Sequence, residues 1–207
     1  MILEIYRDRL KQGSEDTFRA VEEDAARICA DLQFPHAHLA IEALTGPREV
    51  WWLNAFESDA EIQQVARDFA QNPALVAALG LISKRREGLT ETPIDTFASY
   101  RADLSRGAHW KLVGARFFAV TVTKGEPQAE GSVFEAPDGT RFILLPVRTR
   151  RQADAAATAA GGEGETTVFA VRPYWECPRR SGSLPTRSSG NRTRCRRQGS
   201  TDAHRGR

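Results

Sequence analysis

The chain has 207 residues, 41% of them hydrophobic, with a net charge of +2 and three cysteines. That length and composition support one large domain or two small ones with an ample core. Apolar runs stay short of the roughly 18 residues of a membrane helix. Met1-Ile2-Leu3-Glu4 enters a strand directly rather than a signal peptide, so a cytoplasmic location is expected.

Cys29, Cys177 and Cys195 are far apart and form neither a CxxC pair nor a His-Cys cluster, which reads as reduced, unligated thiols. The net charge averages two unlike segments. Residues 178–207 hold nine arginines, no lysine and one acid, Asp202, a local charge of +8 that leaves −6 for the remainder. A mildly acidic body offers no clustered cations for phosphate, so nucleic acid is not expected as its partner.

Ile2 to Tyr6 reads as a first strand. Gly13-Ser14-Glu15-Asp16 then opens a helix, with Ser14 as its cap and Phe18, Val21, Ala25, Ile28 and Leu32 on one stripe. Pro35 ends it. A second strand, Ala37 to Leu44, turns through Thr45-Gly46-Pro47 into a third, Glu49 to Glu57. Ser58-Asp59-Ala60-Glu61 matches a capping box for a second helix with Ile62, Val65 and Phe69 buried. Asn72-Pro73 restarts a helical piece carrying Leu75, Leu79 and Ile82, which stops near Gly88. Thr92 to Tyr100 closes the unit as a fourth strand.

Residues 1–100 therefore read as a ferredoxin-like βαββαβ unit of α+β class. After a connector at 101–114, a strand at Ala115 to Thr123 begins a second, degenerate βββαβ unit over 115–177. Its hairpin, Ser132–Glu135 and Arg141–Val147, turns through Ala136-Pro137-Asp138-Gly139. A helix over 150–160 and a strand over 166–172 complete it. The tail, 178–207, is rich in Arg, Ser, Gly, Pro and Thr, with Leu184 as its only large aliphatic residue, and is expected to be disordered. It reads as a solvated tail, a contact for an acidic partner, or the product of a shifted frame.

Phasing each strand so that its more apolar side meets the helices puts Leu3, Ile5, Leu39, Ile41, Leu53 and Ala55 on the helix side. The opposite face then carries Glu4, Tyr6, His38, Glu42, Trp52, Asn54 and Phe56. Three bare aromatics would form an associating patch, so Tyr6, Trp52 and Phe56 should be covered, with residues 115–172 as the expected cover. Trp51 and Trp52 point to opposite faces, so at least one is a packing residue. His36-x-His38 with Glu42 is a sparse metal set, and Pro35 places His36 in a loop, so no metal is expected. Gly162-Glu163-Gly164 lacks the third glycine of a dinucleotide loop.

The element order, the Trp51-Trp52-Leu53-Asn54 strand and the Ser58-capped helix after it resemble the dimeric α/β-barrel group, which includes antibiotic-biosynthesis-type monooxygenases. The resemblance implies two sheets packed face to face around an apolar cavity, either in a homodimer or by pairing of the two units within the chain. It further implies oxidation of a phenolic or other aromatic small molecule with no cofactor. In that reading Asn54 steadies a substrate oxyanion, Trp52, Tyr6, Phe56 and Glu42 line the substrate, and Glu4 or His38 is the base. Haem-degrading relatives place a histidine on the helix after the third strand, and residues 57–87 contain none. The alternative is a noncatalytic ligand-binding or protein-interaction module, in which Asn54 merely hydrogen-bonds within the sheet.

Overall fold

A computed structural model describes residues 1–107, 114–160 and 164–172. The tail from Pro178, the thiols of Cys177 and Cys195, and part of the 101–114 connector lie outside the described residues.

The first half of the chain supplies β1 (Ile2–Arg9), α1 (Glu15–Asp31), β2 (Leu39–Ala43), β3 (Glu49–Phe56), α2 (Asp59–Ala70), α3 (Pro73–Arg86) and β4 (Ile94–Tyr100). The second half supplies β5 (Phe117–Thr123), β6 (Ser132–Glu135), β7 (Arg141–Val147), α4 (Arg150–Ala159) and β8 (Glu165–Val171). All eight strands join one closed antiparallel barrel in the order β1-β3-β2-β8-β5-β7-β6-β4. Two seams join the halves. One pairs Ile41 with Val171 and Ala43 with Phe169; the other pairs Ser99 with Glu135 and Tyr100 with Phe134. The fold is thus the expected α+β arrangement, with the two units paired inside a single chain.

Local sequence explains most element ends. Asn72 caps α3 by accepting from the Leu75 amide at 3.1 Å, and Pro73 stands where a missing N–H costs nothing. Thr149 and Gln152 form a complete capping box on α4. At α2, Ser58 accepts from the Glu61 amide, but the Glu61 carboxylate turns back to the amide of Glu57 rather than Ser58. Ser14 departs further from expectation. Its hydroxyl makes no cap and lies 2.7 Å from the carbonyl oxygens of both Lys11 and Leu89, which share its one proton and fasten the start of α1 to the segment after α3.

The barrel interior is filled by side chains from both halves: Leu3, Ile5, Ile41, Trp51, Leu53, Phe118, Val120, Phe134, Phe142, Leu144 and Phe169 form one buried cluster. Trp51 packs on Phe169 with ring centroids 5.0 Å apart and meets Phe142 edge-on at 6.1 Å. A closed eight-stranded barrel leaves just the room that inward side chains fill. The expected strand phasing is therefore inverted. Leu3, Ile5, Ile41 and Leu53 face the lumen, whereas the Tyr6 and Trp52 side lies under the helices. On β1, β2 and β3 both faces are covered, the more apolar one by the lumen and the other by α1 and α3.

The outer side of β1, β3 and β2 is roofed by α1 and α3. Leu10, Phe18, Ala40, Val50 and Trp52 form a second buried cluster there, joined by Tyr6, Ala26 and Leu89. Val21, Ala25 and Ile82 make a third between α1 and α3. The expected α1 stripe is the one that packs. The α2 stripe of Ile62, Val65 and Phe69 is only half-buried, and no residue of α2 is fully buried.

Candidate functional site

Pairing of β1 with β3 sets Glu4 opposite Asn54 and Tyr6 opposite Trp52. Residues two apart share a face, so these four and Asp8 project together toward the helices. The sequence grouped the first four correctly and assigned them the wrong cover. Trp52 and Phe56 are buried and Tyr6 is half-buried, but α1, α3 and the His36 loop shield them rather than residues 115–172.

Between this face and the roof lies a cavity of about 190 Å³ lined by Ala25, Cys29, Phe34, His38, Trp52, Leu79, Ile82, Ser83 and Arg86, among others. His38, just ahead of β2, stands edge-on to Trp52 at 5.3 Å and to Phe34 at 5.7 Å. Trp52 and His38 are thus the two sequence-selected candidates that share this cavity.

The others occupy neighbouring positions. Asn54 donates its amide to Glu4 Oε2 at 2.7 Å, and neither residue lines the cavity. Burial raises the Glu4 carboxyl above its ordinary range, against the opposing hydrogen bond from Asn54, and Asp95 adds to the rise. Phe56 stacks flat on the buried His36 ring at 4.3 Å, with Glu61 4.0 Å from His36 Nδ1. Glu42 is bound by Arg19 of α1 and by Arg172 after β8, so it ties the roof to a barrel seam. Among the described residues no cluster of three His, Cys, Asp or Glu side chains has a geometry for a metal.

Three charged residues that the sequence reading passed over sit behind Trp52. Glu22 of α1 is wholly buried, and both its oxygens are taken by Nε and Nη2 of Arg86 from α3. The same guanidinium lies 5.6 Å from the Trp52 ring centroid and 5.9 Å from that of Phe18. Asp8 of β1 is 1% exposed. Burial pushes its carboxyl up, opposed by Arg86 and by hydrogen bonds with Thr90 and Trp52. Burial likewise raises Glu22 against the pull of Arg86. For Arg86, burial disfavours the charge, but Glu22 and Asp8 more than offset that and hold it protonated. Tyr6 is raised by burial and then by the nearby Asp8.

A signal for these residues existed. Glu22 follows Phe18 by four positions and Arg86 follows Ile82 by four, so each continues an apolar stripe with a charge. Charges on the buried sides of two packed helices call for each other.

No protein-family model matches this chain, and no curated protein matches it. Among solved structures, a candidate monooxygenase from Fusobacterium nucleatum superposes at a TM-score of 0.50 and 11% identity, over 82% of this chain and 91% of that one. A candidate chlorite dismutase aligns at 0.48 and 9% identity, over 84% and 97%. A protein from Agrobacterium tumefaciens aligns at 0.40 and 19% identity, over 49% of this chain and 95% of that one. The likeness is one of fold. Its architecture is that of the dimeric α/β-barrel group, here completed within one chain. No helix among the described residues is long and apolar enough to cross a membrane.

Proposed function

We propose that the protein binds a small aromatic molecule in the cavity beneath α1 and α3 and promotes its reaction with oxygen without a cofactor. The observation that carries this reading is the cavity itself, where Trp52 and Phe34 offer ring faces and edges and His38 offers a polar nitrogen. An apolar pocket with a few convergent polar groups is the usual form of a ligand site. Size narrows the ligand. A dry cavity of about 150 Å³ holds benzene, and drug-sized sites begin near 300 Å³, so about 190 Å³ suits one ring.

For a phenol, His38 is the base that takes the hydroxyl proton while Trp52 holds the ring in place. The electron-rich phenolate reduces oxygen, the oxygen bonds to the carbon para to the hydroxyl, and loss of water leaves a quinone. One phenol and one O₂ thus yield one quinone and one water, with all four electrons drawn from the ring. Asn54 and Glu4 stay outside the cavity lining, bonded to each other, so the proposed proton transfer is carried by His38 alone. The commitment of the Asn54 amide to Glu4 favours a second reading, a noncatalytic binding module using the same cavity.

Oxygen uptake by the purified protein with a series of phenols and hydroquinones separates the two. The catalytic reading expects uptake that His38→Gln abolishes and that Asn54→Ala, outside the lining, changes by no more than about threefold. Equal uptake in wild type and His38→Gln removes the mechanism, and binding without uptake leaves the noncatalytic module.

A further inference from the structure

The cavity's lining is asymmetric in charge. Arg86 lines it together with His38, Ser83 and Cys29, but no Asp or Glu does. Glu22 holds Nε and Nη2 of Arg86, so Nη1 takes no part in that fork. An arginine has five N–H donors, and those outside the fork suit the oxygens of a bound anion. Behind this surface the balance reverses, because two buried carboxylates, Asp8 and Glu22, share one guanidinium. The three groups carry one negative charge in excess when all are ionised, in a region from which water is largely excluded. A second anion entering there would be opposed unless one carboxylate were neutralised.

We infer that this cavity takes a single-ring aromatic anion, a carboxylate or phenolate, at Arg86, and that its binding draws one proton from solvent onto the Asp8–Glu22 pair. The inference rests on the reading of the cavity as the ligand site. Every element around the pair contributes a group to the balance. Tyr6 adjoins Asp8 on β1, Glu22 comes from α1, Arg86 from α3 and Thr90 from the segment after it, Trp52 from β3, and His38 from the approach to β2. Asp95 of β4 acts on Tyr6. Burial raises both carboxyls, so the pair takes up a proton more readily than exposed acids do. The two titrate as a pair, so the proton belongs to both.

Isothermal titration with benzoate, and with benzyl alcohol as a neutral ring of similar size, tests this on the whole chain. Benzoate is expected to bind more tightly than benzyl alcohol at about pH 6. Its affinity should fall about tenfold per pH unit toward pH 8, and the heat should vary with the ionisation enthalpy of the buffer, as uptake of one proton requires. Asp8→Asn, which imitates the protonated acid, should flatten that slope. Arg86→Gln should weaken benzoate at least tenfold more than it weakens benzyl alcohol, and benzyl alcohol binding reports whether that variant keeps its pocket. If Arg86→Gln does not fold, the slope in wild type and Asp8→Asn still decides. Benzyl alcohol binding as well as or better than benzoate overturns the anion site while the small-molecule reading stands. Benzoate binding with no pH slope overturns the proton uptake. If neither ring binds, the cavity reading fails and this inference with it.

Discussion

Arg86 and Glu22 join α3 to α1 through a two-pronged ion pair buried against the sheet, and the same guanidinium lies 5.6 Å from the Trp52 ring centroid. One interaction thereby fixes the roof and one wall of the cavity. Removing a single member leaves the other without its counter-charge. Arg86→Met should cost about 3 to 5 kcal/mol in urea unfolding at neutral pH, and Arg86→Met with Glu22→Leu should recover most of it. A single variant as stable as wild type would show that the pair does not hold the helices together.

Asp8 sets the direction of the pH dependence. Its carboxyl is raised in the folded protein, so the folded state binds the proton more tightly than the unfolded chain does. The resulting stabilisation is present at low pH, below the ordinary value of 3.8, and is lost as pH rises through the folded value. Asp8→Asn removes that loss. The thermal midpoint of the variant relative to wild type should therefore climb between about pH 4 and pH 7. A relative midpoint that falls over this range would contradict the assignment.

Phe169 belongs to the lumen, not to the lining of the cavity beneath α1 and α3. Its ring is wholly buried against Trp51. Phe169→Ala should destabilise by about 3 to 5 kcal/mol through loss of burial and the cavity left behind. Benzyl alcohol affinity, titrated at a temperature where the variant is folded, should stay within about twofold of wild type. A large loss of affinity in a folded variant would return the site to the barrel interior.

Ser83 stands exposed on α3 where the cavity meets solvent. Ser83→Trp should fill the entrance and weaken ring binding at least tenfold. Surface substitutions of this kind usually change stability by no more than about 0.5 kcal/mol, so the melting curve should barely move. Unchanged binding would mean that ligands enter elsewhere.

Much of the fold was legible from the chain alone. Alternating apolar residues in the strands, the Asn72-Pro73 restart and the Pro137-Asp138-Gly139 turn placed all eight strands and the helices near their observed bounds. A period of two also put Glu4, Tyr6, Trp52 and Asn54 on one side, since that grouping follows from backbone geometry.

Which side met the helices was not a local property. Hydrophobic phasing identifies a core when one face of a sheet is wet, but here closure buries the inner face of β1, β2 and β3 while α1 and α3 cover their outer one. Leu3, Ile5 and Leu53 packed inward on Phe118, Phe142 and Phe169 from the other half, leaving Tyr6 and Trp52 to α1 and α3. The Asp8, Glu22 and Arg86 cluster is a tertiary product for the same reason. Glu22 and Arg86 are 64 positions apart, and the charge of each becomes tolerable in the interior only when the docking of α1 on α3 supplies the other.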